Sequence, residues 1–346
     1  MGTPRIQVLV FVDGSPTMER CINFRYISNS IQPYFLSIPS PTSLLSIPRF
    51  IFSILNGWIF STSRKWNLVI SIGTWTGLVF SLLQKISIKK ALPHIVVESS
   101  SLPLLASYTG FVPKLETMFV KFSFSGATKI ICFASAQRDF WNQHLGFKEK
   151  AIFLPLGEPV NRISKSDSSG DYIFSGGRTG RDFLTLILAA KKLNQKLVIC
   201  GTCNEKIRKM ATKNIKIIDE IPFPEYLQLL KNSKFVVLTL ENVPYSTGLS
   251  TLLTSMASCR AVIVTKTSGI MDYINDYETG IFVNPFDVND LKEKILYLLK
   301  NPSEIERIGN NAMQTVKTYF SEPIMDRKIT NIILDVAKRD SRGAHS

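Results

Sequence analysis

Two short stretches concentrate the residues able to do chemistry. The first is Gly176-Gly177-Arg178-Thr179-Gly180-Arg181-Asp182, and the second is Ser246-Thr247-Gly248-Leu249-Ser250-Thr251. Each lies between an apolar run with strand character and a stretch with helical spacing. The first backbone N–H groups of a helix have no internal partner, and with the helix dipole they form an anion site. Ser246, Thr247, Ser250 and Thr251 add hydroxyl donors, and Gly248 lets an anion approach the backbone closely. An ordinary capped helix would show the same residues. In the first stretch two arginines in a Gly-rich loop can clamp a diphosphate through charge-assisted hydrogen bonds. A solvated basic turn is the alternative there, and the loop is neither a P-loop nor a Gly-x-Gly-x-x-Gly motif.

The elements that must position these loops follow from the hydrophobic pattern. Arg5–Val12, Asn67–Ile72, His94–Val97 and Lys129–Phe133 are short apolar runs that stop at small or polar residues. They read as buried parallel strands. A second series follows Pro155-Leu156-Gly157. Strands are expected at Tyr172–Phe174, Lys196–Ile199, Ile215–Ile218, Phe235–Leu240 and Ala261–Thr265. Helices are expected through Leu184–Leu193, Glu225–Lys231, Gly248–Ala257, Asp290–Lys300 and Pro302–Tyr319. The Ser-rich stretch Val160–Gly170 reads as an interdomain linker. The alternation predicts an α/β protein of two doubly wound halves facing each other across a cleft, with ligands at the carboxyl ends of the strands.

The 346 residues favour two domains, and 45% hydrophobic with 20% charged residues excludes a mainly disordered chain. Five scattered cysteines read as reduced thiols, and three histidines exclude a His-rich metal site. The net charge is +14, and residues 1–150 hold 15 Lys/Arg against 6 Asp/Glu. That excess favours anionic partners such as phospholipid, nucleotide or nucleic acid. No aromatic–basic interleaving supports the last of these. Ser43–Ser61 is apolar and aromatic but interrupted by Pro48 and Arg49. It reads either as a core helix or as a helix whose exposed face dips into a membrane surface.

FSGGRTGRDFLTLILAA and GLSTLLTSMASCRAVIVTKTSGIMDYINDYETGIFVNPFDVNDLKEKI, with ICFASAQRDFWNQHLGFKEKAIFLPLGE upstream, resemble GT-B glycosyltransferases of the large retaining class, glycosyltransferase family four. The likeness covers roughly residues 131–320. It implies a GT-B fold of two Rossmann-like domains, residues 1–160 binding the acceptor and 161–320 a nucleotide sugar. Residues 321–346 would form a C-terminal helix and tail crossing back to the first domain. It also implies that Arg178 and Arg181, in or near the family's Arg and Lys positions, contact the diphosphate. The helix start Gly248-Leu249-Ser250 would present its amides to the same group. Gly177, Gly201, Ile221, Ser246, Thr247, Thr251 and Thr254 would complete the donor site, the nucleobase lying near Glu220-Ile221-Pro222. The family often carries two Glu eight positions apart, the second accepting from ribose hydroxyls; the corresponding positions in this chain are at or close to Ser246 and Thr254. Glu98 ends a strand at the level where relatives carry a cleft histidine; it is the candidate base or orients the acceptor hydroxyl, with an ordinary surface carboxylate as the alternative.

The expected function is therefore transfer of a sugar from a nucleoside diphosphate sugar to a glycan or lipid-linked acceptor. No metal and no cofactor are expected, nor is nucleic acid as a partner. The expected location is cytoplasmic, peripheral on the inner membrane face. The alternatives are a non-catalytic GT-B-like sugar-nucleotide-binding or scaffold protein and, further off, a sugar-nucleotide epimerase.

Overall fold

In the computed structural model, residues 5–13, 24–39, 47–63, 66–87, 91–98, 111–165, 170–193, 195–243 and 246–343 are described. The chain divides into two compact units. One comprises Met1–Pro155 with Pro323–Ser346, the other Leu156–Glu322.

The first unit is built on a six-stranded parallel sheet of β1 (Ile6–Asp13), β2 (Ile31–Ile38), β3 (Leu68–Ile72), β4 (His94–Glu98), β5 (Lys129–Cys132) and β6 (Ala151–Phe153). The order is β2-β1-β3-β4-β5-β6. Every residue of β3 is buried, as expected of a parallel strand covered on both faces. Helices α1 (Ile47–Ser63), α2 (Thr74–Ile86) and α3 (Phe111–Phe124) connect β2 to β3, β3 to β4 and β4 to β5, and α4 (Ser135–Asp139) follows β5. The sequence pattern shows neither β2 nor β6. Pro33 interrupts the β2 pattern, yet it is tolerated because β2 is an edge strand, with Pro33 opposite Val8 of its single neighbour. His94 is buried between the Ser81 hydroxyl at 3.1 Å and the Ser71 hydroxyl at 2.9 Å, and burial pushes its pKa down to about 3. It is a neutral core imidazole.

The second unit repeats the plan with β7 (Ile173–Gly176), β8 (Leu197–Cys200), β9 (Ile215–Ile218), β10 (Phe235–Leu238), β11 (Val262–Thr265) and β12 (Ile281–Val283), in the order β12-β11-β10-β7-β8-β9. Its helices are α5 (Phe183–Lys191), α6 (Glu205–Lys209), α7 (Phe223–Lys231), α8 (Leu249–Ala257), α9 (Val288–Lys300) and α10 (Pro302–Tyr319). The last helix, α11 (Glu322–Gly343), belongs to the first unit from Pro323 onward. There its Asp326 carboxylate accepts the Tyr26 amide at 2.9 Å. Residues Val160–Ser164, read from the sequence as linker, are folded into the second unit. The Ser164 amide donates to the Ala257 carbonyl at 3.1 Å and the Lys231 ammonium to the Ser164 hydroxyl at 2.7 Å.

Both sheets are doubly wound and Rossmann-like. β7 and β10 are adjacent strands that lead to different sides of the sheet. The loops at their carboxyl ends are the two Gly-rich stretches singled out above, and this is the switch point at which open α/β sheets bind ligands.

Candidate anion and nucleotide site of the second unit

The loop after β7 runs Gly177–Asp182 and is pinned to the end of β10. The Asp182 amide donates to the Thr239 carbonyl and the Glu241 amide to the Gly180 carbonyl, both at 3.1 Å. Asp182 caps α5 by accepting the Thr185 amide at 3.1 Å. These anchors return the chain sharply and turn Arg181 inward. Gly177 and Gly180 take positive φ of 122° and 65°, which favours glycine at both. A Cβ on Gly177 would lie 2.2 Å from Arg181 Nη2. The absent side chain is what admits the guanidinium.

Arg181 is half-buried and spends three of its five N–H groups on the protein. Nε donates to the Gly176 carbonyl at 2.9 Å, Nη1 to the Thr179 carbonyl at 2.8 Å and Nη2 to Thr251 Oγ1 at 3.3 Å. No carboxylate among the described residues pairs with it. Burial lowers its pKa, opposed by the neighbouring Tyr226. A guanidinium stays charged under such a shift, so a desolvated cation with two spare donors faces the start of α8.

That start is open. Gly248 is the N-cap residue of α8, in the left-handed conformation at φ 78°, and no side chain caps the helix. A Cβ at Gly248 would meet Leu240 at 2.9 Å and Arg181 Nη1 at 3.5 Å, so the guanidinium and the uncapped amides are neighbours. The Thr247 hydroxyl is buried without a partner among the described residues, as are those of Ser175 and Thr239 at the ends of β7 and β10. Buried hydroxyls at a strand's carboxyl edge cost stability unless something bonds them.

The two arginines expected to act together have different settings. Arg178 is exposed and pairs with Glu220 Oε2 at 3.4 Å, while Thr202 reaches Glu220 Oε1 at 3.4 Å. Arg178 thus ties the β7 loop to the ends of β8 and β9, and Arg181 is the one at the helix start. Gly201 sits against the Gly177 carbonyl, 2.1 Å from where its Cβ would be, so the β7 and β8 loops touch through backbone. Ile221 follows Glu220 on the same rim and is half-buried. Leu249 is buried in the core under α8, and Ser250 is half-buried in its first turn. Ser246 is half-buried before it. The side chain of Glu98, at the end of β4, lies outside the described residues.

Two participants carried no sequence signal of their own. Tyr226 on α7 donates from its hydroxyl to Thr251 Oγ1 at 3.3 Å, and burial pushes its pKa up to about 12. Its ring covers Gly176, where a Cβ would come within 2.5 Å of the phenol oxygen. Glu158 is buried and accepts from the Thr254 hydroxyl at 2.9 Å and from Arg162 at 3.4 Å. Burial raises its pKa to about 7, against the opposing effects of Arg162 and Thr254. Arg162 in turn lies over the Phe223 ring at 4.5 Å, and Phe223 stacks on Tyr226. Arg181, Thr251, Tyr226, Phe223, Arg162, Glu158 and Thr254 therefore form a continuous chain of contacts that starts in the β7 loop, touches α8 at Thr251 and returns to α8 at Thr254. Thr254 spends its hydroxyl inside that chain.

This geometry gathers a cation, open helix amides and buried hydroxyls, donors of the kind an anion uses. Residues 163–315 match the family described as Glycosyl transferases group 1. Over those residues the second unit is similar to a Glycosyl transferases group 1 domain. Over 260 residues the chain is 26% identical to an uncharacterized glycosyltransferase of Methanocaldococcus jannaschii, covering 71% of this chain and 69% of that one. Among solved structures, sucrose-phosphate synthase from Thermosynechococcus elongatus superposes with a TM-score of 0.75 at 13% identity, over 96% of this chain and 99% of that one. Anabaena HepE in complex with UDP-glucose gives a TM-score of 0.75 at 13% identity over 95% and 99% of the two chains. The two Rossmann-like domains have the GT-B fold that the resemblance implied.

Proposed function

We propose that the protein is a retaining glycosyltransferase of family four that moves a hexosyl group from a nucleoside diphosphate sugar to an acceptor hydroxyl. One observation carries the reading: the half-buried, unneutralised Arg181 beside the uncapped start of α8. As the bond from the anomeric carbon to the diphosphate oxygen breaks, negative charge grows on the leaving diphosphate. The two spare N–H groups of Arg181 and the amides at Gly248–Ser250 are already oriented to meet it, and preorganised donors of this kind act without reorganisation during the reaction. No metal is required where fixed cations and amides hold that charge. The acceptor oxygen forms the new glycosidic bond and its proton passes to a base, for which Glu98 is the candidate. Arg178 holds the rim of the site by pairing with Glu220, where the nucleobase would lie.

On this reading the donor binds the second unit and the acceptor the first. The acceptor is a glycan or lipid-linked hydroxyl compound of envelope polysaccharide or glycolipid synthesis, met at the cytoplasmic face of a membrane. No helix among the described residues is long and apolar enough to cross a membrane, which fits a peripheral protein. A second reading, a non-catalytic sugar-nucleotide-binding protein, has Thr254 in its favour: an uncharged residue already bonded to Glu158 stands at or close to where a ribose-binding carboxylate is common.

A thermal-shift screen against UDP-, GDP- and ADP-sugars tests donor binding, because a ligand of the folded state raises stability by mass action. UDP-glucose, the ligand of the Anabaena HepE structure, is the first to try. Turnover with an acceptor extract then separates the readings. Binding with transfer supports the enzyme, and binding without transfer across all donors supports the second reading. No shift with any donor overturns both.

A further inference from the structure

We propose that the outer face of the helix layer in the first unit docks onto an anionic phospholipid bilayer; this extends the sugar-transfer reading by giving a lipid-borne acceptor a surface on which to be met. Helices α1, α2 and α3 each lead from one parallel strand to another on the same side along the sheet. Right-handed crossovers therefore lay all three on one face, and α2 packs against both α1 and α3. On α1 the inner face is Phe50, Ile54 and Gly57, with Gly57 pressed against Phe11. The opposite face is also apolar: Ile51, Phe52, Leu55 and Ile59 are exposed, Phe52 by 65%. At 3.6 residues per turn these four fall within an arc of about 100°. Helix α3 repeats the arrangement. Val120 and Phe124 are buried, while Met118, Phe119 and Phe122 are exposed, Met118 by 65%. Ile86, at the end of α2 between them, is exposed by 61%. Scattered exposed apolar residues are ordinary in a soluble protein, but two helices flanking α2 in one layer, α1 turning Ile, Phe and Leu outward and α3 turning Met and Phe outward, mark an interaction surface.

Charge selects the occupant. Among the described side chains, the exposed charges interleaved with this face are Arg49, Lys85 and Lys121. Helices α1 and α2 carry no Asp or Glu, and Glu116 is the one acid of α3. At the foot of the layer Lys85 and Lys129 lie close enough to Lys150 to depress its pKa beyond the effect of burial, and Lys129, Lys148 and Lys150 outnumber Glu149 and Asp335 around the hollow they line. An apolar stripe with a cationic border matches the acyl boundary and headgroups of an anionic leaflet. A second copy fits poorly, because a two-fold interface would set this cationic border against itself.

The test is co-sedimentation of the full chain with vesicles of phosphatidylglycerol and phosphatidylcholine in equal parts, against phosphatidylcholine alone, at low and high salt. The expected result is binding to the anionic vesicles at least tenfold stronger than to the neutral ones, weakened by salt. Phe52→Ser with Ile59→Ser, and separately Met118→Ser with Phe122→Ser, should each reduce binding at least fivefold while leaving the thermal shift by UDP-glucose unchanged. Equal binding to both vesicle types, binding unaffected by either pair of substitutions, or a vesicle-free dimer that those substitutions convert to monomer overturns the proposal. Vesicle binding without a thermal shift by any sugar nucleotide would instead remove the donor reading and leave the docking surface standing.

Discussion

Arg181 Nη2 reaches the Thr251 hydroxyl at 3.3 Å, bridging the Gly-rich loop after β7 to the first turn of α8. That bond joins two segments 70 residues apart at the switch point of the sheet and fixes a cation beside uncapped amides. Replacing Arg181 with Ala should lower kcat/KM for transfer by about 100-fold or more, the scale seen when one preorganised donor to a developing anion is removed. The melting temperature should change by a few degrees at most, since the variant loses three hydrogen bonds but also an unneutralised charge. Arg181→Lys should recover only part of the activity, because an ammonium cannot reproduce the planar fork. Steady-state kinetics and a thermal scan of the three proteins check this.

Gly177 makes room for that guanidinium, so Gly177→Ala should mimic the loss of Arg181 without touching it. The new Cβ would sit 2.2 Å from Nη2 at a φ of 122°. The strained backbone costs about 1–3 kcal/mol, and the arginine must swing out of its place. The expected outcome is a loss of transfer rate close to that of Arg181→Ala. The double variant should be no slower than either single one, a non-additivity that a double-mutant cycle reads directly.

How much of this was legible in the chain depends on how local each feature is. The Gly-rich loops and the α8 start declare themselves through neighbouring residues: glycines where φ must be positive, an arginine in the loop, a helix-spaced run behind it. The sheet rhythm was equally plain wherever a strand is buried on both faces. Strand β2 was hidden by Pro33, which only an edge position allows. The unequal settings of Arg178 and Arg181 could not be read from the spacing, because they follow from the clamp of Gly180 and Asp182 to the end of β10. Glu158 and Thr254 are 96 positions apart, and no local pattern couples them.

Tyr226 supports the site from below. Its hydroxyl donates to the same Thr251 oxygen that accepts from Arg181. Tyr226→Phe keeps the ring over Gly176 and removes only that bond. Stability should fall by about 1 kcal/mol. KM for the donor should rise several-fold with a smaller change in kcat, because the tyrosine positions Thr251, which stands beside Arg181 at the proposed donor site.

Glu158 gives the protein a pH-dependent stability term with a definite sign. Its folded pKa is raised from 4.5 to about 7, first by burial. Between those values the folded chain keeps a proton that the unfolded chain has released. The contribution is therefore fully present below about pH 4.5 and is lost as pH rises through about 7. Glu158→Gln removes the titration. The melting temperature of the variant minus that of the wild type should rise from pH 5 to pH 8. A difference independent of pH would show that Glu158 is not the group responsible.

The resemblance sets Thr254 at or close to a position where the family often has a carboxylate, and the buried Glu158 makes one costly in this chain. Thr254→Glu would place a second carboxyl beside a carboxylate that is already buried and only partly offset by Arg162 at 3.4 Å. An uncompensated buried charge costs about 3–5 kcal/mol, so the single variant should melt far below the wild type at pH 8 and recover partly at pH 5, where one of the two acids is protonated. Glu158→Thr combined with Thr254→Glu exchanges the two side chains and leaves one carboxyl near Arg162. That double variant should regain most of the lost stability. Chemical denaturation of the three variants at both pH values distinguishes this coupling from simple overpacking, which the exchange would leave uncorrected at either pH.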